Sequence, residues 1–398
     1  MSETPQTLHK GNVVRLAAAQ ALSMTTMNVN IINTALVGAL LAPLAWLATL
    51  PLSLQFLTSM MTTLPASLLM ARYGRRPVFI AGVLIAVVGS LGNGIAIMLE
   101  HYVLFCLSSM LLGVAIGCAG YYRYAAADSA SEAFKPKAIS YVLAGGLLAA
   151  LFGPEIARNT VEWVPGSLYA GCFFTVAAVQ LLSVFFLAGL KIERPERKAA
   201  SGRPIGAFLR MPVFVVGMVS AAIGYAMMSY LMTATPLQVV NVAQLGTSAN
   251  ATIIQWHVVA MFAPSFFTGS LIARFGVGKV LWTGILAYIF TIYIAVGAIG
   301  FWPYWTALFL LGIGWNFLYI GGSSMIAKVA TPEERGRVQG FADLVTTTTV
   351  AAASLTAGAL HSQMGWKVMS LAAILPVGLV VVALVWLALD QARTKAAA

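Results

Sequence analysis

Apolar residues fill this chain in runs of roughly twenty or more, broken by short polar gaps. In the first half the runs lie near 14–38, 46–71, 77–98, 102–126, 138–160 and 167–190. In the second half they lie near 212–236, 249–273, 279–299, 303–327, 339–360 and 367–389. A helix rises about 1.5 Å per residue, so each run can cross a hydrocarbon layer about 30 Å thick. The pattern predicts an all-α membrane protein of twelve transmembrane helices. The longest gap, 191–211, holds the run Lys191-Ile192-Glu193-Arg194-Pro195-Glu196-Arg197-Lys198, with the charge and proline of a solvated linker. It separates 1–190 from 212–398, which reads as two six-helix bundles joined by a cytoplasmic tether.

Composition agrees with a lipid-facing surface. Of 398 residues, 60% are hydrophobic and 9% charged, with a mean hydropathy of +0.88. A soluble domain carries about 25% charged residues, and fewer cannot cover a water-facing surface. The net charge of +11 does not indicate nucleic-acid binding, because Lys and Arg sit in the gaps and form no stripe. They are also unevenly shared between alternate gaps. One side receives Lys10, Arg15, Arg72, Arg75, Arg76, Lys135, Lys137, the 191–210 cluster, Arg274, Lys279, Lys328, Arg335, Arg337, Arg393 and Lys395; the other keeps Arg158 and Lys367. By the positive-inside bias, both termini are expected in the cytoplasm. Cys106, Cys118 and Cys172 lie within apolar runs, without metal-ligand spacing. The first apolar run is too long and too polar at its centre for a cleaved signal peptide.

The halves repeat one another. Arg72-Tyr73-Gly74 matches Arg274-Phe275-Gly276 at an offset of 202 residues, carrying Leu69 onto Leu271 and Gly82 onto Gly284. At nearby offsets Lys137 falls on Arg337 and Gly113 on Gly312. Self-similarity at half the chain length marks duplicated transporter bundles.

At these residues the chain resembles the major facilitator superfamily over essentially its whole length. That family carries a Gly-x-Leu-x-Asp-Arg-x-Gly-Arg-Arg loop between its second and third helices, repeated more weakly between the eighth and ninth. Here the copies read Ser67-Leu68-Leu69-Met70-Ala71-Arg72-Tyr73-Gly74-Arg75-Arg76 and Gly269-Ser270-Leu271-Ile272-Ala273-Arg274-Phe275-Gly276. The resemblance implies two pseudo-symmetric six-helix bundles, the major facilitator fold, with Arg72, Gly74, Arg75, Arg76, Arg274 and Gly276 as gating residues. The acid that helps lock the family's outward-facing state is replaced by Ala71 and Ala273. Gly153-Pro154 in the fifth run is similar to a motif of drug/proton antiporters, and the resemblance adds Gly153 and Pro154 to the gating residues. The runs at Met232–Pro236, Trp256-His257 with Ala263–Phe267, and Gly314-Trp315-Asn316 are similar to a bacterial subgroup mostly without assigned substrates, to which some riboflavin importers are similar.

Ionisable groups are costly in lipid, so each is a functional candidate. His257 has an unperturbed pKa of about 6.5, suited to reversible protonation; alternatively it bonds helix to helix as a neutral imidazole. Glu155 and Arg158 are either a proton carrier with its controlling cation or an i,i+3 ion pair. Arg123 either draws an anionic substrate inward or snorkels to headgroups beside Tyr121 and Tyr122. Asp343 is expected to pair with Arg335 or Arg337 in gating. In the family, helices 1, 4, 7 and 10 line the substrate cavity. Asn28, Asn30 and Asn33 stand on the first, Tyr225 and Tyr230 on the seventh, and Trp315, Asn316 and Tyr319 on the tenth. Such neutral amides and aromatics suit a flat-ringed or hydroxyl-bearing solute.

No hydrolytic triad, phosphate-binding loop or metal cluster stands in the sequence, so no enzyme activity, cofactor or metal is expected. The reading is a monomeric secondary transporter in the bacterial inner membrane, moving a small organic solute by alternating access, with proton coupling open. Drug or metabolite export by proton antiport and import of a flavin-like vitamin are the alternatives. A membrane-embedded enzyme or receptor is disfavoured, since neither an acid–histidine cluster nor an output domain is present.

Overall fold

A computed structural model describes residues 10–131, 134–192, 202–331 and 334–397. The chain divides into two compact units, Met1–Arg197 and Lys198–Ala398. Among the described residues both are helical and contain no strand, as lipid requires when every backbone polar group must be satisfied within the chain.

Unit 1 runs through α1 (Lys10–Leu41), α2 (Leu50–Tyr73), α3 (Arg75–Met98), α4 (Tyr102–Ala119), α5 (Tyr122–Asp128), α6 (Lys135–Asn159) and α7 (Ala170–Ala188). The fourth span is α4 continued by α5 across Gly120 and Tyr121. α1 packs on α6 and α7, α2 on α4, and α3 on α4 and α7. Water cannot drive helices together inside a bilayer, so close contact depends on small residues and interhelical hydrogen bonds. A Cβ at Gly153 would stand 2.6 Å from the Asn28 Cβ, so the Gly-Pro step of α6 lets α1 approach. Pro154 remains inside α6, which continues past it to Asn159.

Unit 2 contains a short α8 (Ile205–Phe208) and then α9 (Pro212–Pro236), extended by a π-helical turn over Leu237–Val242. It continues through α10 (Gly246–Phe262), α11 (Ser265–Phe275), α12 (Val277–Val296), α13 (Phe301–Val329), α14 (Arg335–Ala372) and α15 (Ile374–Ala397). α13 packs on α9, α10 and α12, while α9 also packs on α14.

Four of the expected runs differ in detail. The 249–273 run is bent by 42° between α10 and α11, at Ala263-Pro264. The 46–71 run starts as a helix only at Leu50, after a 3-10 turn over Ala45–Leu47. The 339–360 and 367–389 runs meet within α14, where Gly365 (φ 74°, ψ 172°) interrupts the helix. Nine described helices are long and apolar enough to cross a membrane, ten with the bent α10–α11 pair as one span. Dividing Arg337–Arg393 at Gly365, and adding α6 with its charged ends, gives the full complement of twelve.

Candidate substrate site and gating turns

In unit 2 a set of rings is built on α13. Trp315 and Tyr319, one helical turn apart, lie stacked with centroids 5.2 Å apart and planes 12° from parallel. Tyr225 of α9 sets its ring edge-on to both, at 5.6 and 5.5 Å. Phe262, the last residue of α10, meets Trp315 at 5.7 Å. The Trp315 Nε1–H is buried without a hydrogen-bond partner. Buried indole donors normally find an acceptor, which makes this one a candidate ligand contact.

Two other residues expected at the site are already bonded within unit 2. The Tyr230 hydroxyl donates to the Met369 carbonyl at 3.1 Å. Asn316 is fully buried, and its Nδ2 donates to the Met261 carbonyl and to Ser265 Oγ, both at 2.7 Å. Its Oδ1 accepts from Thr268 Oγ1 at 2.6 Å. With both amide donors taken, Asn316 holds helices together at the α10–α11 bend.

The amides of α1 divide in the same way. Asn28 Nδ2 donates to the Ala149 carbonyl of α6 at 3.0 Å. On another face Asn30 and Asn33 are buried, and Asn30 Oδ1 and Asn33 Nδ2 have no partner. Thr34 Oγ1, one turn from Asn30, is likewise unpartnered. Acceptor, donor and hydroxyl thus lie at i, i+3 and i+4 on one helix face, a set suited to a ligand with both donors and acceptors.

His257 is fully buried on α10, its Nδ1 2.6 Å from the Leu308 carbonyl of α13. A carbonyl only accepts, so Nδ1 carries the proton and the neutral ring leaves Nε2 as a bare acceptor, without a partner. The ring thus bonds helix to helix, with its second nitrogen buried. Glu155 and Arg158 form the i,i+3 pair at 2.6 Å, with Asn159 also donating to Glu155 at 3.0 Å. Arg123 bonds the Tyr124 hydroxyl at 3.0 Å and lies over its ring at 4.8 Å.

The two turns expected to gate have nearly the same geometry. Gly74 (φ 90°, ψ 163°) and Gly276 (φ 85°, ψ 149°) occupy a backbone region that side chains resist. Each caps the preceding helix with an N–H bond of 2.9 Å, Gly74 to Met70 and Gly276 to Ile272. Arg72 lies over Tyr73 at 5.3 Å and Arg274 over Phe275 at 5.2 Å. Arg75 pairs with Asp128 at the end of α5, so an acid does meet this loop, though not from position 71. Arg76 stays exposed.

In unit 2, Glu334 is buried and bidentate to Arg203, with Nε–Oε1 2.9 Å and NH2–Oε2 2.7 Å. The backbone N–H groups of Arg203 and Thr331 bond it too, at 2.9 and 3.0 Å. Together these bonds hold its carboxyl well below the usual carboxylate range, the Arg203 guanidinium contributing most. Arg337 donates to the Arg203 carbonyl, while the Arg335 side chain expected near Asp343 lies outside the described residues. The sequence reading missed Glu334, Ser265, Thr268 and the Asp128 pairing. Only Glu334 carried a signal, an acid buried amid arginines in a loop.

Comparison with known proteins agrees with the fold. The Major Facilitator Superfamily model matches residues 16–264 and 239–398. The chain is 38% identical over 386 residues to the riboflavin transporter RfnT of Brucella anthropi, covering 96% of this chain and 97% of that one. It is 26% identical over 341 residues to YddS, an uncharacterized MFS-type transporter of Bacillus subtilis, covering 79% and 76%. The crystal structure of a point mutant of the nucleoside transporter NupG shares the fold, with a TM-score of 0.68 at 14% identity, covering 94% and 98%. The repeated glycine turns and these matches lead to one conclusion: the chain belongs to the major facilitator superfamily and is a multi-pass membrane transporter, not an enzyme.

Proposed function

We propose that this transporter takes up riboflavin or a close flavin analogue across the bacterial inner membrane by alternating access. The ring set Trp315–Tyr319–Tyr225, with its unpartnered indole N–H, carries this reading. A flavin is a flat conjugated ring with carbonyls on one edge and a polyol chain, so it suits both aromatic stacking and an indole donor. The 38% identity to a riboflavin transporter supports the choice. Within unit 1, Asn30 and Asn33 of α1, with buried and unpartnered amide atoms, are proposed as separate polar contacts for a substrate. Asn28, Tyr230 and Asn316 shape the helices behind the site.

The same proposal keeps both termini cytoplasmic, six-helix bundles at 1–190 and 212–398, and 191–211 as a solvated tether, of which 193–201 lie outside the described residues. It also takes the protein as a monomer, with Arg72, Gly74, Arg75, Arg76, Arg274, Gly276 and Asp343 governing the conformational switch. Proton coupling has one specific support, the buried and unpartnered Nε2 of His257. Proton-driven export is the second reading. It rests on the Gly153-Pro154 motif, whose glycine stands where α1 approaches closely.

Uptake of labelled riboflavin into proteoliposomes tests the proposal. The parent should accumulate it, and unlabelled riboflavin should compete. Trp315→Ala should weaken binding about tenfold or more while folded protein persists, from loss of a stack and a donor. Equal binding by parent and variant would remove the ring set from the site.

A further inference from the structure

The ring set and the helix bend in unit 2 are joined by two adjacent residues of α13. Pro264 has no N–H, and a proline ring crowds the carbonyl one turn back, so the bend leaves backbone acceptors without their helical donors. Ala263 N still bonds Val259 O at 2.8 Å in the regular four-residue step. Past the proline the ladder tightens: Phe266 N reaches Ala263 O at 3.4 Å and Phe267 N reaches Pro264 O at 3.0 Å, each three residues back. A stranded carbonyl is expensive inside a bilayer, and a neighbouring helix can satisfy it.

Asn316 does this from α13. One Nδ2 donor takes the Met261 carbonyl on the last turn of α10, and the other takes Ser265 Oγ on the first turn of α11. Its Oδ1 receives Thr268 Oγ1, one turn further along α11. The Thr268 backbone N–H bonds the Pro264 carbonyl at 2.8 Å, and the Asn316 amide grips both sides of the bend. The residue beside it, Trp315, touches Phe262, where α10 ends. α11 then runs into the Arg274-Phe275-Gly276 turn.

We propose that Asn316 is a positioning residue that fixes the angle of α11 and transmits stacking at Trp315 to the Gly276 turn. The second half rests on the reading of Trp315 as the substrate's ring partner; the first does not. A ligand that shifts the Trp315 or Phe262 ring moves α13 against the end of α10, and the Asn316 amide carries that movement across the proline into α11. Substitution of Asn316 should therefore separate binding from turnover, which loss of a contact residue would not do.

Full-length protein in nanodiscs and proteoliposomes provides the test. Without ligand, amide hydrogen exchange over 265–275 should be about tenfold faster in Asn316→Ala than in the parent, while 246–259 stays unchanged. Thr268→Val, nearly isosteric, should give about a threefold acceleration and serves if the first variant folds poorly. Asn316→Ala should still bind riboflavin within about threefold of the parent while its uptake rate falls about tenfold. Unchanged exchange in both variants overturns the proposal. Binding lost as fully as in Trp315→Ala also overturns it, since Asn316 would then belong to the site. Faster α11 exchange in a protein whose parent does not bind riboflavin supports the hinge and sinks only the flavin reading.

Discussion

One helix crossing in unit 1 and its counterpart in unit 2 begin alike and end differently. Where α4 crosses α2, a Cβ at Gly113 would sit 2.3 Å from the Gln55 carbonyl oxygen. Where α13 crosses α10, a Cβ at Gly312 would sit 2.5 Å from the His257 carbonyl oxygen. The glycines press on corresponding residues, since 55 and 257 are separated by the same 202 positions as the gating turns. Four residues further along, the crossings part. Gly117 keeps α4 close to Ser59 and Thr62, and α2 runs unbroken through Pro65 to Tyr73. Its counterpart Asn316 reaches the Met261 carbonyl, and the helix opposite is bent. Glycine sets how near two helices come; the next residue on that face decides whether the partner stays straight.

The glycines should give the largest effects. Gly113→Ala and Gly312→Ala each drive a methyl into a backbone carbonyl, an overpacking cost of about 1–3 kcal/mol or more. Both should lower the melting temperature and yield of folded protein to a similar degree. A large drop in one and none in the other would break the equivalence of the crossings.

The buried polar groups at the crossings should matter less for stability and more for function. Gln55 Nε2 and His257 Nε2 are both buried without a partner, but only an imidazole has a pKa that a proton-coupled step could use. His257→Gln should flatten the pH dependence of uptake, and Gln55→Leu should leave it as in the parent. If His257→Gln keeps the parent's pH profile and still accumulates solute, coupling resides elsewhere, and Glu155 becomes the next residue to vary.

The smallest effect is expected at Glu334. Its carboxyl is held below the ordinary range by Arg203, so folding favours the ionised form. That contribution is complete above the unfolded carboxylate pKa of about 4.3 and is lost as the pH falls below it toward the folded value. Glu334→Gln should be modestly less stable than the parent by a constant margin from about pH 5 to 8, narrowing only below about pH 4. A margin that widens in acid would mean the pair is not what holds the loop.

The spans and the two glycine turns were legible because each rests on a local rule. Twenty apolar residues suffice to cross a bilayer, and a glycine closing a tight helix-to-helix turn marks positive φ. The bend at Pro264 was not legible. Pro65 and Pro154 also lie inside spans, and both of their helices run on. A proline alone therefore does not announce a break; here the bent helix is gripped by an amide 52 positions away, at Asn316. The same distance in sequence hid the role of Asn316 itself. Its residue type suggested a ligand partner, and only the positions of Met261, Ser265 and Thr268 reveal that its donors are taken.

The unbonded indole of Trp315 has a consequence for light. An indole N–H without an acceptor, surrounded by rings, emits at shorter wavelength than one bonded to water. A flavin stacked on it absorbs in that emission range and would quench it at contact distance. Eight other tryptophans add a background, which the difference between parent and Trp315→Phe spectra removes. The ring proposed to hold the substrate is thus also the chromophore that would report its arrival.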